Sequence, residues 1–402
     1  MNNTTNLGEK IVGMFNDVPL NEKEKELFVN RAKEINKLTN ISRFMQKSIY
    51  GIAGETGCGK TTLFNMLKFS EDIKILIITI TEKESKEIII ADILYNLCIL
   101  IIAEKKFKNV HSLAEKVLMF LKEEEIRSKE RGLKIGKILE GESKWTKISK
   151  KRFSLSTIKN GLKEIITAIT KENKIVLCID EIDKERKEDA IVILDSIKDI
   201  FKCEKLSCLI ALPSIMYAQY LENRDKLFSE ANLENILKDI LPINKMNDNE
   251  INEVLTKRTK SFPQVLPQEV KQIVIDFADG NPREALLLCQ NSMLSKKIQN
   301  GYKKEDFILS SNEIKQEMGK FLWARVNRLN FSQREKEFLE AIYENDIILK
   351  TDLINSKLPK IPTSTINKII KKFLANKVLE ETEPDIYKIN RKVQLFYRYI
   401  GF

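Results

Sequence analysis

Short, unbroken apolar runs alternate along the first half of this chain with longer stretches of helical period. The runs Ser48-Ile49-Tyr50-Gly51-Ile52-Ala53, Ile73-Lys74-Ile75-Leu76-Ile77-Ile78-Thr79-Ile80, Lys174-Ile175-Val176-Leu177-Cys178-Ile179 and Ser207-Cys208-Leu209-Ile210-Ala211-Leu212 are rich in β-branched residues. Continuous hydrophobicity over that length predicts strands covered on both faces, as in a parallel sheet. Helices are expected over Glu22–Thr39, from Lys86 to about Lys106, from Ser112 to Glu125 and over Leu155–Thr170. The first half therefore reads as an α/β core.

After Leu241-Pro242-Ile243 the period becomes helical throughout. Helices are expected over Asp248–Thr259 and Gln268–Asp279, then a break at Gly280-Asn281-Pro282-Arg283, then a further helix from Glu284. Gly280 would end one helix and Pro282 would open the next. From about Ser332 the pattern predicts helices Gln333–Glu344, Thr351–Lys357 and Thr363–Leu374, followed by a hairpin from Val378 to Ile389. That order suggests a winged helix. Its third helix turns Ile366, Ile369, Ile370 and Phe373 inward and Ser364, Thr365, Asn367, Lys368, Lys371 and Lys372 outward, the arrangement of a recognition helix in a major groove. The tip of the wing carries Glu380, Glu381, Glu383 and Asp385, which suit phosphates poorly. Reading of DNA and packing or protein contact are both open uses of it. The expected division is a flexible arm over 1–20, an α/β core over 21–243, a helical lid over 244–330 and a winged-helix domain over 331–402.

Composition narrows the classes. A chain of 402 residues with 43% hydrophobic content, 14 Gly and 9 Pro is globular and too long for one ordinary core. The formal charge is +10, and residues 127–159 supply most of it, with eleven Lys or Arg against three Glu. Gly132 to Leu139 alternates, Gly141-Glu142-Ser143 turns and Lys144-Trp145-Thr146-Lys147-Ile148 resumes, so a basic β-hairpin insertion is expected there. It could contact a phosphate backbone with Trp145 stacking, or be a solvated loop. Six scattered cysteines without a CxxC pair exclude a disulfide framework and a zinc site. The single histidine, His111, sits in a helical stretch and excludes a histidine-based triad. Met1-Asn2-Asn3-Thr4-Thr5 is no signal peptide, and the apolar window Ile88–Ala103, interrupted by Asp92, is shorter than a bilayer span. A soluble, cytoplasmic protein without a membrane partner is expected.

Chemistry concentrates in Gly54-Glu55-Thr56-Gly57-Cys58-Gly59-Lys60-Thr61, between the first strand and the helical run beginning at Thr62, and nucleotide contacts are expected from Gly54 through Thr62. Glycines at this spacing let backbone N–H groups turn inward around phosphates, and the following helix adds the positive end of its dipole. Lys60 would reach the β- and γ-phosphates, and the Thr61 hydroxyl would ligate Mg²⁺. ATP is the expected nucleotide. The run Lys174–Ile179 ends in Asp180-Glu181, acids at the carboxyl edge of a central strand, where ligands sit in open α/β sheets. Asp180 would hold Mg²⁺ and Glu181 would polarise the attacking water. Asp183 is expected to cap the next helix. Ser214, after the fourth run and Pro213, either senses the γ-phosphate or caps a helix. Arg283 sits at a fixed helix start from which it could swing to a γ-phosphate, or it is a surface residue.

These parts in this order resemble an AAA+ ATPase, more narrowly the origin-recognition-complex-like group and its relatives, including the signalling STAND ATPases. The resemblance runs from about Phe28 to Phe402. Phe28-Val29-Asn30-Arg31 resembles the box that borders the adenine in that family, which implies nucleotide contacts from Phe28, Val29 and Arg31. Gly280-Asn281-Pro282-Arg283 resembles the sensor-two box, which ties the lid to the γ-phosphate. Two departures stand out. The sensor-one position holds Ser214 where Asn or Thr is usual. No unmistakable arginine finger is present, and Arg224, in Glu222-Asn223-Arg224-Asp225, is either a residue acting on a neighbour's nucleotide or an ordinary helix-end arginine.

The resemblance implies an ATP- and Mg²⁺-dependent switch, with slow, partner-stimulated hydrolysis and a nucleotide-dependent homo-oligomer. Double-stranded DNA is its expected partner, in replication, plasmid maintenance or transposition. The alternative is a regulatory or antiphage-defence ATPase whose nucleotide state controls oligomerisation and a protein effector. A metabolic kinase fits less well, because nothing resembles a small-molecule acceptor pocket.

Overall fold

In the computed structural model, residues 2–68, 72–81, 85–130, 154–182, 187–224, 233–296, 307–327, 331–343, 347–352, 355, 357–358, 360–376 and 378–399 are described. The chain divides into two compact units, Pro19–Asn244 and Lys245–Phe402 with Met1–Val18. The expected flexible arm is instead a helix, α1 (Asn2–Met14). Ile11 and Phe15, one helical turn apart, are both completely buried, and α1 contacts the helix Pro282–Leu294.

Pro19–Asn244 begins with a 3₁₀ turn, Glu22–Leu27, held by a capping box between Asn21 and Glu24. The expected continuous helix Glu22–Thr39 breaks after this turn, and α2 spans Ala32–Phe44. The cause is local: Phe28 is extended and Asn30 takes φ 37°, a value asparagine tolerates better than most residues. Then follow β1 (Ser48–Gly54), α3 (Lys60–Met66), β2 (Ile73–Thr79), α4 (Lys86–Ala103), α5 (His111–Glu130), α6 (Leu155–Thr170), β3 (Lys174–Asp180), α7 (Lys187–Phe201), β4 (Leu206–Pro213), α8 (Ser214–Arg224), α9 (Leu233–Ile236) and β5 (Asp239–Pro242). The helix expected to reach Lys106 stops at Ala103 and yields to a 3₁₀ stretch, Lys105–Val110.

The five strands form one parallel sheet in the order β2-β3-β4-β1-β5. Alternate residues face opposite layers. Ile175, Leu177, Ile179, Cys208 and Ile210 join the core with α4, α6 and α7, whereas Val176, Cys178, Leu209 and Ala211 join Leu38 of α2 and Leu63 and Phe64 of α3. Both faces are covered, which is why the strands read as unbroken apolar runs. The expected basic hairpin is flanked by helices, since α5 runs to Glu130 and α6 starts at Leu155; its residues 131–153, Trp145 among them, lie outside the described residues, as does Asp183.

The other unit contains α10 (Asp248–Arg258), α11 (Gln268–Ala278), α12 (Pro282–Leu294), α13 (Ser311–Asn327), α14 (Gln333–Tyr343), β6 (Ile347–Leu349), α15 (Lys350–Asp352), α16 (Thr363–Ala375), β7 (Leu379–Glu383), β8 (Ile386–Ile389) and α17 (Arg391–Tyr399). The lid and C-terminal segments, expected as separate domains, belong here to one compact unit. Ile347–Leu349 pairs with β8 just ahead of the expected helix Thr351–Lys357, of which Thr351, Asp352, Asn355 and Lys357 are helical and the remaining residues lie outside the described ones. The apolar triplet supplies an edge to the antiparallel sheet β6-β8-β7. Ile366, Ile369, Ile370 and Phe373 of α16 are buried with Phe338, Leu339 and Tyr387. No helix among the described residues is long and apolar enough to cross a membrane.

Candidate functional site

The carboxyl ends of the parallel strands share one edge, and the glycine-rich loop leaves the sheet from that edge. β1 is buried along its whole length. Its last residue, Gly54, could not carry a Cβ, which would lie 2.6 Å from Cys58 Sγ and 3.1 Å from Ile243 Cβ. The loop thus folds tightly back on the strand. Gly57 and Gly59 take φ 87° and 99°, the left-handed backbone that turns amide groups into the bend. α3 begins at Lys60, directly after Gly59.

Lys60 is buried, and its Nζ donates to the carbonyls of Gly54 (2.7 Å) and Glu55 (3.0 Å). Its ammonium is therefore held inside its own loop, within reach of any anion the loop encloses. The Thr61 hydroxyl donates to Asp180 Oδ2 at 2.5 Å. Asp180 ends β3, is 2% exposed and accepts the Glu181 N–H on Oδ1 at 2.9 Å. Glu181 itself takes φ 71° although it is not glycine. A non-glycine residue held in that region stores backbone strain of the kind that collects at functional sites.

Register brings the remaining core residues to the same edge. Pro213 of β4 pairs with Gly54 of β1, so Ser214, the first residue of α8, leaves the sheet beside the start of the loop. Thr62 Oγ1 accepts the Leu20 N–H at 3.3 Å, and Asn65 Nδ2 donates to the Leu20 carbonyl at 3.0 Å. Val29 is buried and Phe28 packs on the same core as α3. Arg31, 6% exposed, donates to the Asn244 carbonyl at 2.8 Å and pairs with Glu34 at 3.1 Å, so its charge is engaged within the fold. Arg224 is the last residue of α8.

Sequence reading missed one contributor. Asp92 of α4, 6% exposed, accepts the Thr81 N–H at 2.7 Å and an Asn96 amide hydrogen at 2.9 Å. It fixes the chain leaving β2, whose Ile80 N–H donates to the Asp180 carbonyl. A lone acid inside the apolar run Ile89 to Leu94 was the available signal, read only as an interruption.

Arg283 belongs to the other unit. It is the second residue of α12, after Pro282, and its N–H donates to Asn281 Oδ1 at 3.1 Å. The preceding Gly280 has φ 76°, and a Cβ there would lie 2.4 Å from the Met246 carbonyl oxygen. The guanidinium Nε pairs with Asp17 Oδ2 at 3.0 Å. In the C-terminal segment a cleft of about 520 Å³ is lined by Gln333, Arg334, Glu335, Thr365, Lys368 and Lys372. Ser364, Lys368 and Lys371 are exposed, whereas Lys372 pairs with Glu335 at 2.6 Å.

Thr61 and Asp180 present two hard oxygen donors side by side, and the positive-φ glycines Gly57 and Gly59 stand next to the buried Lys60 in the chain. That donor set fits a nucleotide phosphate chain with Mg²⁺.

The sequence pattern of the KAP family P-loop domain matches residues 28–291, well over half of the chain. Among solved structures, a Walker-type ATPase of Pyrococcus abyssi is similar over 96% of this chain and 99% of its own, at 13% identity and a TM-score of 0.50. The RuvB Holliday junction branch migration motor of Thermotoga maritima is 13% identical over 96% of this chain and 99% of its own, with a TM-score of 0.39. A signal transduction ATPase with numerous domains and a tetratricopeptide repeat sensor, from Pyrococcus horikoshii, is 15% identical over 93% of this chain and 43% of its own, with a TM-score of 0.32. The likeness to the Pyrococcus abyssi protein is one of fold. No curated protein matches the chain.

Proposed function

The chain belongs to the KAP family of P-loop NTPases, and on that premise we propose that it is an ATP-hydrolysing switch that engages double-stranded DNA. The observation that carries the nucleotide half is the 2.5 Å bond from Thr61 to Asp180, which joins the phosphate loop to the acidic strand end. Lys60 would exchange the Gly54 and Glu55 carbonyls for the β- and γ-phosphate oxygens. Thr61 and Asp180 would hold Mg²⁺, which when bound neutralises charge between those phosphates. The strained Glu181 would orient a water and take its proton. Ser214 would sense the terminal phosphate from the neighbouring strand, and Arg283 would be the group through which the helical unit responds to it.

The DNA half rests on the C-terminal segment. We read α14, α16 and the β7–β8 hairpin as a winged helix, with α16 as the recognition helix. Lys368 and Lys371 are exposed on it, and Arg334 adds a cation to the cleft beside Lys368. Affinity for a duplex measured at two salt concentrations, with and without ATP, tests this reading. Lys368→Ala with Lys371→Ala should lower the salt slope by roughly one for each phosphate no longer neutralised.

One observation favours a second reading. Glu381, Glu383 and Asp385 are all exposed on the hairpin and would repel a phosphate backbone. If nucleotide changes the oligomeric state while no duplex binds at low salt, the protein is a regulatory ATPase acting on protein partners, and the DNA reading falls.

A further inference from the structure

Arg31 is enclosed in a way that a contact with the base would not require. It is 6% exposed, which leaves little surface for a ligand, and both ends of its guanidinium are used within the compact unit Pro19–Asn244. One terminal nitrogen pairs with Glu34 at 3.1 Å, and the other donates to the Asn244 carbonyl at 2.8 Å. Nε is buried and has no hydrogen-bond partner among the described residues. An enclosed guanidinium with one donor unbonded is placed by the bonds it does make. Its planar fork can hold two acceptors at once, where a lysine presents a single nitrogen.

The Asn244 end leads to the phosphate loop. Asn244 follows Ile243, whose N–H donates to the Ala53 carbonyl at 2.7 Å. At the next residue, Gly54, a Cβ would lie 3.1 Å from both the Cβ and the carbonyl oxygen of Ile243. The Gly54 carbonyl in turn accepts from Lys60 Nζ. The arginine's own place does not depend on Asn244. It directly precedes α2, whose Leu38 and Ile41 share one core with Ile243, Cys58 and Leu63.

We propose that Arg31 is a positioning residue for the phosphate loop. By holding the Asn244 carbonyl it keeps Ile243 against Ala53 and Gly54, so that the loop has its shape before a triphosphate arrives. This rests on nucleotide binding by the loop, as proposed above. It replaces the base contact that the sequence implied for Arg31.

Calorimetric titration of the full chain with Mg²⁺-ATP and with Mg²⁺-tripolyphosphate, which carries no base, tests it together with hydrogen exchange of the loop amides. Arg31→Lys should weaken both ligands by the same factor, about two- to tenfold, the range one hydrogen bond spans. Exchange over Gly54–Lys60 should rise in the free chain, while exchange over β3 stays as in the wild type. Asn244→Gly loosens the other end without removing core packing, since the Asn244 side chain is exposed. It should act in the same direction, and it carries the test if the lysine variant does not fold. A loss confined to ATP makes Arg31 a base contact and overturns the proposal, as does unchanged binding of both ligands or unchanged loop exchange. Wild-type protein that holds ATP but not tripolyphosphate overturns it too. In each of these cases the nucleotide reading stands. A wild type without affinity for ATP overturns both.

Discussion

The phosphate loop and the surroundings of Arg283 are built in opposite ways. The loop is one continuous stretch from Gly54 to Thr61, between a strand and the helix it feeds, and its donor set needs only the acid at the end of β3 to be complete. Its chemistry lies in backbone geometry and short side chains. Arg283 is surrounded instead by residues from across the chain. Asp17 holds its side chain, and Met246 bonds the turn before it. At the far end, Arg391 of α17 reaches Asp276 (3.2 Å) and Asp279 (3.4 Å) ahead of the turn, while Lys392 pairs with Glu284 behind it. A site of the first kind keeps its donors through change elsewhere in the chain. A site of the second kind is exposed to whatever moves its distant parts.

The largest effect should come from Glu181→Gln, which on this account lowers phosphate release about 10²- to 10⁴-fold while ATP affinity is retained, as loss of a general base does. Unchanged turnover would take Glu181 out of the local site. Next, Phe15→Ala should cost about 3–5 kcal/mol of the packing that docks α1. Hydrogen exchange over residues 1–18 should rise sharply; unaltered protection would mean that α1 does not hold Asp17 in place.

Smaller still, Gly280→Ala should destabilise the helical unit by about 1–3 kcal/mol in urea titration, because φ 76° and the Met246 carbonyl oppose a side chain. Gly13→Ala is its control, since a Cβ there meets nothing within 4 Å, and it should be neutral or stabilising.

The smallest effect concerns Glu335. Burial alone raises its carboxyl, but bonds from Lys372 and Ser332 outweigh it and hold the group below the usual glutamate value. Such a group stabilises the fold above the unfolded glutamate pKa of about 4.3, and that stability is lost as pH falls through the depressed native value. Glu335→Gln should flatten this acid-side loss and cost about 1 kcal/mol at neutral pH, because Glu335 also accepts the Ser332 N–H at 2.7 Å in a capping box. An unchanged pH profile of melting would refute the pairing.

The same contrast explains what could be read from the sequence. The strands announced themselves because a sheet covered on both faces needs apolar residues at every position, as in Ile175 to Ile179. The loop and the Asp180-Glu181 pair were legible because each is fixed by its immediate neighbours. The break at Asn30 was not, since no glycine or proline marks it and asparagine enters the left-handed region without other signal. α1 hid behind a polar opening, although Ile11 and Phe15 stand at helical spacing. β6 and the four-residue β5 are too short for periodicity to separate strand from helix. Asp17 and Arg283 are separated in sequence by the whole of Pro19–Asn244, and no local pattern could have indicated their pairing.

The most direct test is calorimetric titration of Mg²⁺-ATP into the wild-type chain and into Lys60→Ala. The account predicts saturable, one-to-one binding that the substitution weakens about a hundredfold, as removal of a buried charge-assisted bond does, with the fold intact by circular dichroism. Equal affinity in the two proteins, or no binding by the wild type, would contradict it.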